Sequence, residues 1–193
     1  MEQRDRKAAL RRSVRDARRA MTPEQRREAS GDVCSRLRLL PELLTTRVVL
    51  VYAAANSEVD IEPAAIELRR RGVRTFYPRV RGEDLDLVPV RDTDPLVAGH
   101  RGIREPVGQA ADPTLVDAVV VPGVAFDLRG RRLGQGGGHY DRVLPRIGDA
   151  LRVGVAFACQ VVPRIPDEPH DITMDVLITD RVVHRFERAE DGT

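Results

Sequence analysis

The chain has 193 residues, of which 41% are hydrophobic, and this suits one folded domain with a substantial core. Its 32 basic and 30 acidic residues leave a net charge of +2, which argues against a general polyanion-binding protein. No segment offers the roughly 18 apolar residues that a membrane span needs, and no apolar signal segment opens the chain. The spacing of Cys34 and Cys159 matches no metal-binding motif. The two could form a disulfide, but reduced thiols in a cytoplasmic protein are the better interpretation.

The first forty residues predict two helices. Apolar residues recur at helical spacing through residues 3–20, namely at Leu10, Val14, Ala17 and Met21. Beside them lies a stripe of basic side chains, formed by Lys7, Arg11, Arg15 and Arg18. A second helix is predicted to begin after Thr22, which suits the N-cap, with Pro23 in the first helical position and Gln25 closing a capping box.

From residue 48 onward, short apolar runs alternate with helical patterns. Buried strands are predicted at 48–52, 75–77, 118–121 and 153–157, and helices at about 62–71 and 139–147. An alternating segment with Pro89 predicts an edge strand at 85–90, and a terminal hairpin is predicted at 176–183. The loop-rich segment 91–113 is typical of a flap over a site. The pattern indicates an α/β fold, a single domain over 1–193 with a largely parallel central sheet flanked by helices.

Lys7 is the one lysine among 32 basic residues, so the other 31 are arginine. Lysine is a compact charge on a flexible stem, whereas arginine is a wide planar fork. A site that must contact one phosphate oxygen in a tight space could require the lysine. Chance survival of one exposed lysine explains the composition equally well, so both interpretations stay open.

The strongest local signal is the glycine-rich segment 131–141, which follows a buried strand and opens a helix. Four glycines within residues 134–138 let backbone N–H groups converge on an anion, so the segment predicts phosphate binding. It is not a P-loop, because no Gly-Lys-Ser/Thr follows, and a dinucleotide fingerprint would need a third glycine at His139. A simple surface loop is the weaker alternative, given the neighbouring Tyr140 and Asp141.

Carboxylates in two further segments are candidates for chemistry. Asp171 and Asp175 could both ligate Mg²⁺, although an N-capping Asp171 with a solvated Asp175 is the favoured interpretation of that segment alone. Glu58 leaves the carboxyl end of the first strand, where open α/β sheets bind ligands, and could hydrogen-bond an amide-like ring. Asp60 is expected to cap the helix at residue 62. The segment 99–106 has no interpretation from chemistry alone.

These motifs, taken in order from Lys7 to about residue 179, resemble the 5-formyltetrahydrofolate cyclo-ligase family. The resemblance rests on Lys7 and Arg11 in the N-terminal helix, SEVD at 57–60, GIREP at 102–106, VPGVAFD at 121–127, RRLGQGGGHYD at 131–141 and HDITMD at 170–175. One such motif would be weak evidence, but six in order are specific.

The resemblance implies a fold similar to the ribose-phosphate isomerase and CoA-transferase group. It also implies a Mg²⁺-dependent reaction in which ATP phosphorylates the formyl oxygen of 5-formyltetrahydrofolate. The second folate nitrogen then attacks, and phosphate leaves as the ring of 5,10-methenyltetrahydrofolate closes, with ADP as the other product. The implied partners are therefore small molecules, ATP and a reduced folate, with no nucleic acid and no membrane, and we expect a monomer.

The resemblance also assigns roles to particular residues. Lys7 and Tyr140 are the implied catalytic residues, and Asp141 and Asp171 the implied magnesium ligands. The folate is expected to contact Glu58, His139 and Tyr140. The ATP site is expected to comprise Lys7, Arg11, Arg132, Leu133, Gly134, Gln135, Gly136, Gly137, Gly138, His139, Tyr140 and Asp141.

Two positions depart from the family pattern. Gln135 stands where the family usually has an arginine, and His139 where it usually has a tyrosine; Arg131 or Arg132 is the candidate to replace the missing cation. A diverged paralogue that binds nucleotide or folate without turnover therefore stays open as an alternative. A nucleic-acid-binding protein that uses the arginine-rich helix is a weaker one, because only 4% of the residues are aromatic.

Overall fold

The computed structural model describes residues 3–166 and 172–187. The α-helices are Gln3–Ala20 (α1), Pro23–Arg38 (α2), Glu62–Arg70 (α3) and His139–Val143 (α4). The strands are Val48–Leu50 (β1), Arg74–Arg81 (β2), Asp84–Val90 (β3), Leu96–Ala98 (β4), Arg104–Pro106 (β5), Ala118–Pro122 (β6), Ala125–Asp127 (β7), Arg132–Leu133 (β8), Leu151–Ala156 (β9), Val161–Val162 (β10), Val176–Thr179 (β11) and Val183–Arg185 (β12).

A seven-stranded sheet runs through the described chain in the order β12-β11-β9-β6-β1-β2-β3. The inner strands β11, β9, β6, β1 and β2 are parallel, and antiparallel edges are added by β12 and β3. β1 and β11 are buried along their whole length, as expected of strands covered on both faces. The predicted α/β fold with a largely parallel central sheet is confirmed.

The two faces of the sheet carry separate parts of the core. Successive strand residues point to opposite faces, so Val49 packs with α2 and α3 while Val48 and Leu50 pack with the segment around α4. On the first face the helices contribute small and aliphatic residues, among them Ala29, Val33, Leu37, Ala64 and Leu68. On the second face the covering residues are Val143, Leu144 and Ile147.

α1 packs apart from both faces, on a smaller cluster of its own. Its Val14 is buried against Val124, Leu133 and Ile165, with Leu10 half-buried beside them. These partners belong to or adjoin a small three-stranded sheet in the order β10-β7-β8. Because β8 leads directly into residues 134–138 of the glycine-rich segment, this packing sets the basic face of α1 beside those residues.

Most of the predicted elements are present, with some differences. Thr22 and Gln25 form the predicted capping box at the start of α2. The predicted helix 139–147 divides into α4 and a 3-10 turn at Leu144–Ile147, where a proline in the first turn interrupts the α-helical hydrogen bonds. Segment 91–113 contains the β4–β5 hairpin. Within the described residues, no helix is long and apolar enough to cross a membrane.

Candidate active site

Two loops meet at the carboxyl edge of the central sheet. One follows β1 and carries Glu58; the other is the glycine-rich loop, residues 134–138, which follows β8. The Gln135 side chain joins them, since its Nε2 donates a hydrogen bond of 3.2 Å to Oε1 of Glu58. The structure therefore brings together the predicted phosphate-binding segment and the predicted folate carboxylate, which lie 77 positions apart in sequence.

α1 supplies two guanidinium groups to the glycine-rich loop. Arg11 donates from Nε to the carbonyl oxygen of Gly134 over 2.9 Å. Arg15 donates from Nη2 to the side-chain oxygen of Gln135 over 2.6 Å and to its carbonyl oxygen over 3.4 Å. Residues four apart share a helix face, and Lys7, half-buried one turn earlier, lies on the same face. Arg15 is a contact of the loop to which the sequence assigned no role.

The backbone of the glycine-rich loop adopts conformations that other residues disfavour. Gly136 and Gly138 have φ angles of 105° and 69°, in the left-handed half of the map. A Cβ atom on Gly137 would lie 2.9 Å from the His139 ring, and one on Gly138 would lie 2.6 Å from an Arg142 nitrogen. Gly136 and Gly138 are therefore favoured for backbone conformation, and a side chain at position 137 or 138 would displace the side chain of His139 or Arg142.

The loop after β1 is fixed by hydrogen bonds on both sides of Glu58. Oε2 of Glu58 accepts from the backbone N–H of Ala55 over 3.1 Å, and the buried Tyr52 hydroxyl donates to the carbonyl oxygen of Val59 over 2.7 Å. Arg18 of α1 donates from Nε to Ser57 Oγ over 3.0 Å. Burial lowers the pKa of Arg18 and outweighs the negative charge of Glu58, which acts to raise it. α1 thus contacts both loops of the site.

Asp60 bonds the start of α3, but it is not the N-cap residue. The N-cap is Ile61, which makes no side-chain capping hydrogen bond. Oδ1 of Asp60 instead accepts a hydrogen bond of 3.1 Å from the backbone N–H of Glu62, the first residue of α3, from one position before the N-cap.

Tyr140, Arg132 and Asp141 form one cluster at the end of the glycine-rich loop. The Arg132 guanidinium carbon lies 5.6 Å from the centroid of the Tyr140 ring, and its Nη2 donates to Oδ1 of Asp141. The Tyr140 hydroxyl is buried and has no hydrogen-bond partner among the described residues. Burial, together with the negative charge of Glu58, raises its pKa, so the phenol is protonated at neutral pH.

His139 links the site to the β4–β5 segment. Its ring centroid lies 6.3 Å from that of His100. Burial lowers the pKa of His139, and the charges of Arg142, His100 and Arg101 act in the same direction. The imidazole is therefore neutral at pH 7, and its buried Nδ1 has no hydrogen-bond partner in the described part of the chain.

The structure explains segment 99–106, which chemistry alone left without an interpretation. Glu105 is buried, and its Oε1 accepts from the backbone N–H groups of Val80 over 3.3 Å and His100 over 3.2 Å. A Cβ atom on Gly99 would lie 2.3 Å from Cδ of Glu105, so only glycine leaves space for this carboxylate. These contacts hold the hairpin against β2 and place His100 near His139.

Beneath the site, Asp127 and Gln160 fix the backbone that leads to the glycine-rich loop. Asp127 is fully buried and accepts hydrogen bonds from the backbone N–H groups of Arg129, Arg131 and Ile165 at 3.0, 3.1 and 2.9 Å. Gln160 donates to the carbonyl oxygen of Gly123 over 2.8 Å. Both side chains form hydrogen bonds with backbone N–H or C=O groups that have no partner in a neighbouring strand. Sequence patterns did not reveal this supporting role.

The predicted magnesium ligands have different outcomes. Asp141 is exposed at the rim of the glycine-rich loop, whereas Asp171, with His170, lies outside the described residues. Asp175 accepts from the backbone N–H of Arg152 over 2.7 Å, at the amino edge of the sheet, opposite the glycine-rich loop. No group of three His, Cys, Asp or Glu residues arranged for a metal occurs within 3–166 and 172–187. A single carboxylate such as Asp141 is compatible with Mg²⁺ binding, because Mg²⁺ in proteins is usually held by one or two carboxylates together with the phosphate oxygens of a substrate.

Comparison with known proteins gives a consistent assignment. The chain matches the model of the 5-formyltetrahydrofolate cyclo-ligase family over residues 3–180. It is 32% identical to the 5-formyltetrahydrofolate cyclo-ligase of Escherichia coli (strain K12) over 174 residues, which is 86% of this chain and 96% of that protein. The solved structure of Aquifex aeolicus 5,10-methenyltetrahydrofolate synthetase superposes with a TM-score of 0.85 at 39% identity, covering 97% of this chain and 96% of that one.

A more distant solved structure shares the fold. The 5,10-methenyltetrahydrofolate synthetase of Mycoplasma pneumoniae gives a TM-score of 0.75 at 22% identity, covering 91% of this chain and 99% of that one. With the family model matched over most of its length, the chain belongs to the 5-formyltetrahydrofolate cyclo-ligase family.

Proposed function

We propose that this chain converts 5-formyltetrahydrofolate into 5,10-methenyltetrahydrofolate with ATP and Mg²⁺. The observation that carries the proposal is the direct contact between the glycine-rich loop and the Glu58 loop through Gln135, with arginines of α1 on one side. One loop offers a phosphate cradle and the other a carboxylate for a ring N–H, and the reaction needs both substrates in contact. Membership of the family supports the same assignment.

On the nucleotide side, the chain supplies positive charge and a shaped backbone. Bound ATP would provide the phosphoryl group that activates the formyl oxygen as a leaving group. Phosphoryl transfer depends mainly on positioning and on charge stabilisation, so the roles of Lys7 and Arg11 are to hold and neutralise the phosphates above the glycine-rich loop. Arg132 fixes Tyr140 and Asp141 at the end of the same loop.

On the folate side, the proposed contacts are a carboxylate and two neutral groups. Glu58 is the proposed acceptor for ring N–H groups, because its Oε1 already accepts an amide N–H from Gln135 of the opposite loop. Tyr140 carries a protonated hydroxyl without a partner in the described chain, so it can donate to the substrate rather than remove a proton. His139 is neutral and keeps both donor and acceptor capacity.

For the metal, Asp141 is the proposed ligand within the described residues. Its carboxylate is paired with Arg132, and an incoming Mg²⁺ would share or replace that contact. Asp171 stays a predicted second ligand. The single domain over 1–193, the cytoplasmic location and the monomeric state likewise stay predictions from the sequence.

The basic stripe of α1 bears on the nucleic-acid alternative. Arg11, Arg15 and Arg18 all donate hydrogen bonds to the two loops of the site, which leaves them turned toward the protein. This orientation supports a small-molecule anion as their ligand.

The decisive experiment follows the absorbance of methenyltetrahydrofolate after 5-formyltetrahydrofolate is mixed with the purified chain. We expect product only when ATP and Mg²⁺ are both present, with complete loss under EDTA. Product that forms without ATP would contradict the proposal. Binding of both ligands without product, by protein with a normal melting curve, would instead establish the alternative of a paralogue without turnover.

The role of Asp141 is tested by Asp141→Asn, which removes charge and keeps the size. We expect most turnover to be lost while the melting temperature is kept, because the Asp141 side chain is 65% exposed. Asp84→Asn is the matched control, since Asp84 is 61% exposed and pairs with an arginine, Arg142, at 3.9 Å. Near-normal turnover in Asp141→Asn would show that this carboxylate only holds Arg132.

A further inference from the structure

Two guanidinium groups of α1 lie side by side at the glycine-rich loop and contact neutral acceptors. Arg11 donates to the carbonyl oxygen of Gly134, and Arg15 donates to the carbonyl and amide oxygens of Gln135. Burial lowers the pKa of Arg11, and the positive charge of Arg15 acts in the same direction, whereas the negative charge of Asp141 opposes it. Two like charges held together without a bonded anion are unfavourable unless a ligand neutralises them.

The nearby carboxylates are engaged elsewhere. Asp141 is bonded by Arg132, and Glu58 is reached from Arg15 only through the amide of Gln135. Within residues 3–166 and 172–187, neither Arg11 nor Arg15 forms an ion pair with a carboxylate. Among the described residues, the guanidinium groups of Arg11 and Arg15 therefore have no carboxylate bonded to them, although the charge of Asp141 acts on Arg11 from a distance.

Gln135 explains why Arg15 does not pair with Glu58. The amide oxygen of Gln135 accepts from Arg15 over 2.6 Å, and its amide nitrogen donates to Glu58 over 3.2 Å. This fixes the direction of the amide and places a neutral group between cation and carboxylate. An arginine at position 135 would instead repel Arg15 and pair with Glu58 itself.

We infer that Arg15 is a further nucleotide-binding cation, which Gln135 holds at the phosphate side of the glycine-rich loop and keeps apart from Glu58. Its ligand is a triphosphate oxygen of MgATP, so the inference rests on the proposed function. In this assignment Arg15, rather than Arg131 or Arg132, supplies the positive charge beside residue 135. Arg132 is already engaged by Asp141 and the Tyr140 ring.

The test compares three variants of the full chain by calorimetric titration with MgATP and by steady-state kinetics. We expect Arg15→Gln to weaken MgATP binding about tenfold, a usual loss for one charge-assisted hydrogen bond to phosphate. We expect Arg15→Lys, which keeps the charge but not the fork, to stay within about threefold of wild type. Arg12→Gln is the matched control, because Arg12 is exposed on the same helix and its substitution removes the same positive charge.

The outcomes separate this inference from the proposed function. Arg15→Gln with unchanged MgATP affinity overturns the inference, as does an equal loss in Arg12→Gln, which would indicate a general charge effect. A rise in the 5-formyltetrahydrofolate KM without weaker MgATP binding also overturns it, because Arg15 would then act through Glu58. If wild type binds MgATP without turnover and only Arg15→Gln loses that binding, the inference holds while the proposed function fails.

Discussion

Asp127→Asn tests how the structure supports the glycine-rich loop. Oδ1 of Asp127 accepts from the backbone N–H groups of Arg129 and Arg131, while Oδ2 accepts from Ile165 N–H and from the Arg129 side chain. Asparagine has one acceptor oxygen, so at least one buried N–H faces an NH₂ group whichever way the amide turns. An unsatisfied buried donor costs about 1–3 kcal/mol, and the remaining bonds also lose a charged acceptor, so we expect a total of about 3 kcal/mol or more.

The effect is measured as the free energy of unfolding in urea, with a thermal melt beside it. A loss of about 3 kcal/mol corresponds to roughly 6–12 °C in melting temperature for a domain of this length. Asp112→Asn is the control, because Asp112 is exposed and accepts one backbone N–H, that of Thr114, over 2.9 Å. A loss below about 1 kcal/mol in Asp127→Asn, the net worth of one ordinary hydrogen bond, would refute the reasoning.

Three further predictions concern the two sides of the site and the hairpin beside it. Lys7→Arg should lower kcat/KM for ATP about tenfold, or roughly 1.4 kcal/mol, with little change in melting temperature, and an unchanged value would make the single lysine an accident of composition. Glu58→Gln should raise the KM for 5-formyltetrahydrofolate more than that for ATP; the reverse order would move Glu58 to the nucleotide side. Gly99→Ala should destabilise the fold by about 1–3 kcal/mol in urea, because its Cβ would overlap Glu105, and unaltered stability would show that the carboxylate relocates freely.

The central sheet was predictable because its strands are buried on both faces. The run of residues 118–121 is apolar throughout, and the structure buries all of it in β6. The small β10-β7-β8 sheet was not predicted, since its strands have two or three residues each and include no periodic pattern. Elements this short are defined by their tertiary partners, here α1 and Ile165, rather than by local sequence.

The candidate site was predictable where a single segment carries the signal. The glycine-rich loop was predictable from its composition. The positive φ angles of Gly136 and Gly138 give the physical reason for glycine at those two positions. The contacts of Arg15 and Glu58 with Gln135 span 120 and 77 positions, and nothing local in one sequence indicates such pairs. Asp127 bonds Arg129 and Arg131, which are two and four positions away, but its contact with Ile165 spans 38 positions and was visible only in the structure.

The separate packing of α1 has a consequence for the order of events during synthesis. α1 leaves the ribosome well before its partner surface, since Gln135 follows Arg15 by 120 positions. At about 5–20 residues per second, roughly 6–24 s pass before the two can meet. During that interval the surface on which α1 packs is incomplete. A largely polar helix of 18 residues is only marginally stable in water by itself, so we expect α1 to be largely unfolded until that surface is present. The contacts of α1 with the glycine-rich loop can therefore form only after the strands β1, β2, β3 and β6 have been synthesised.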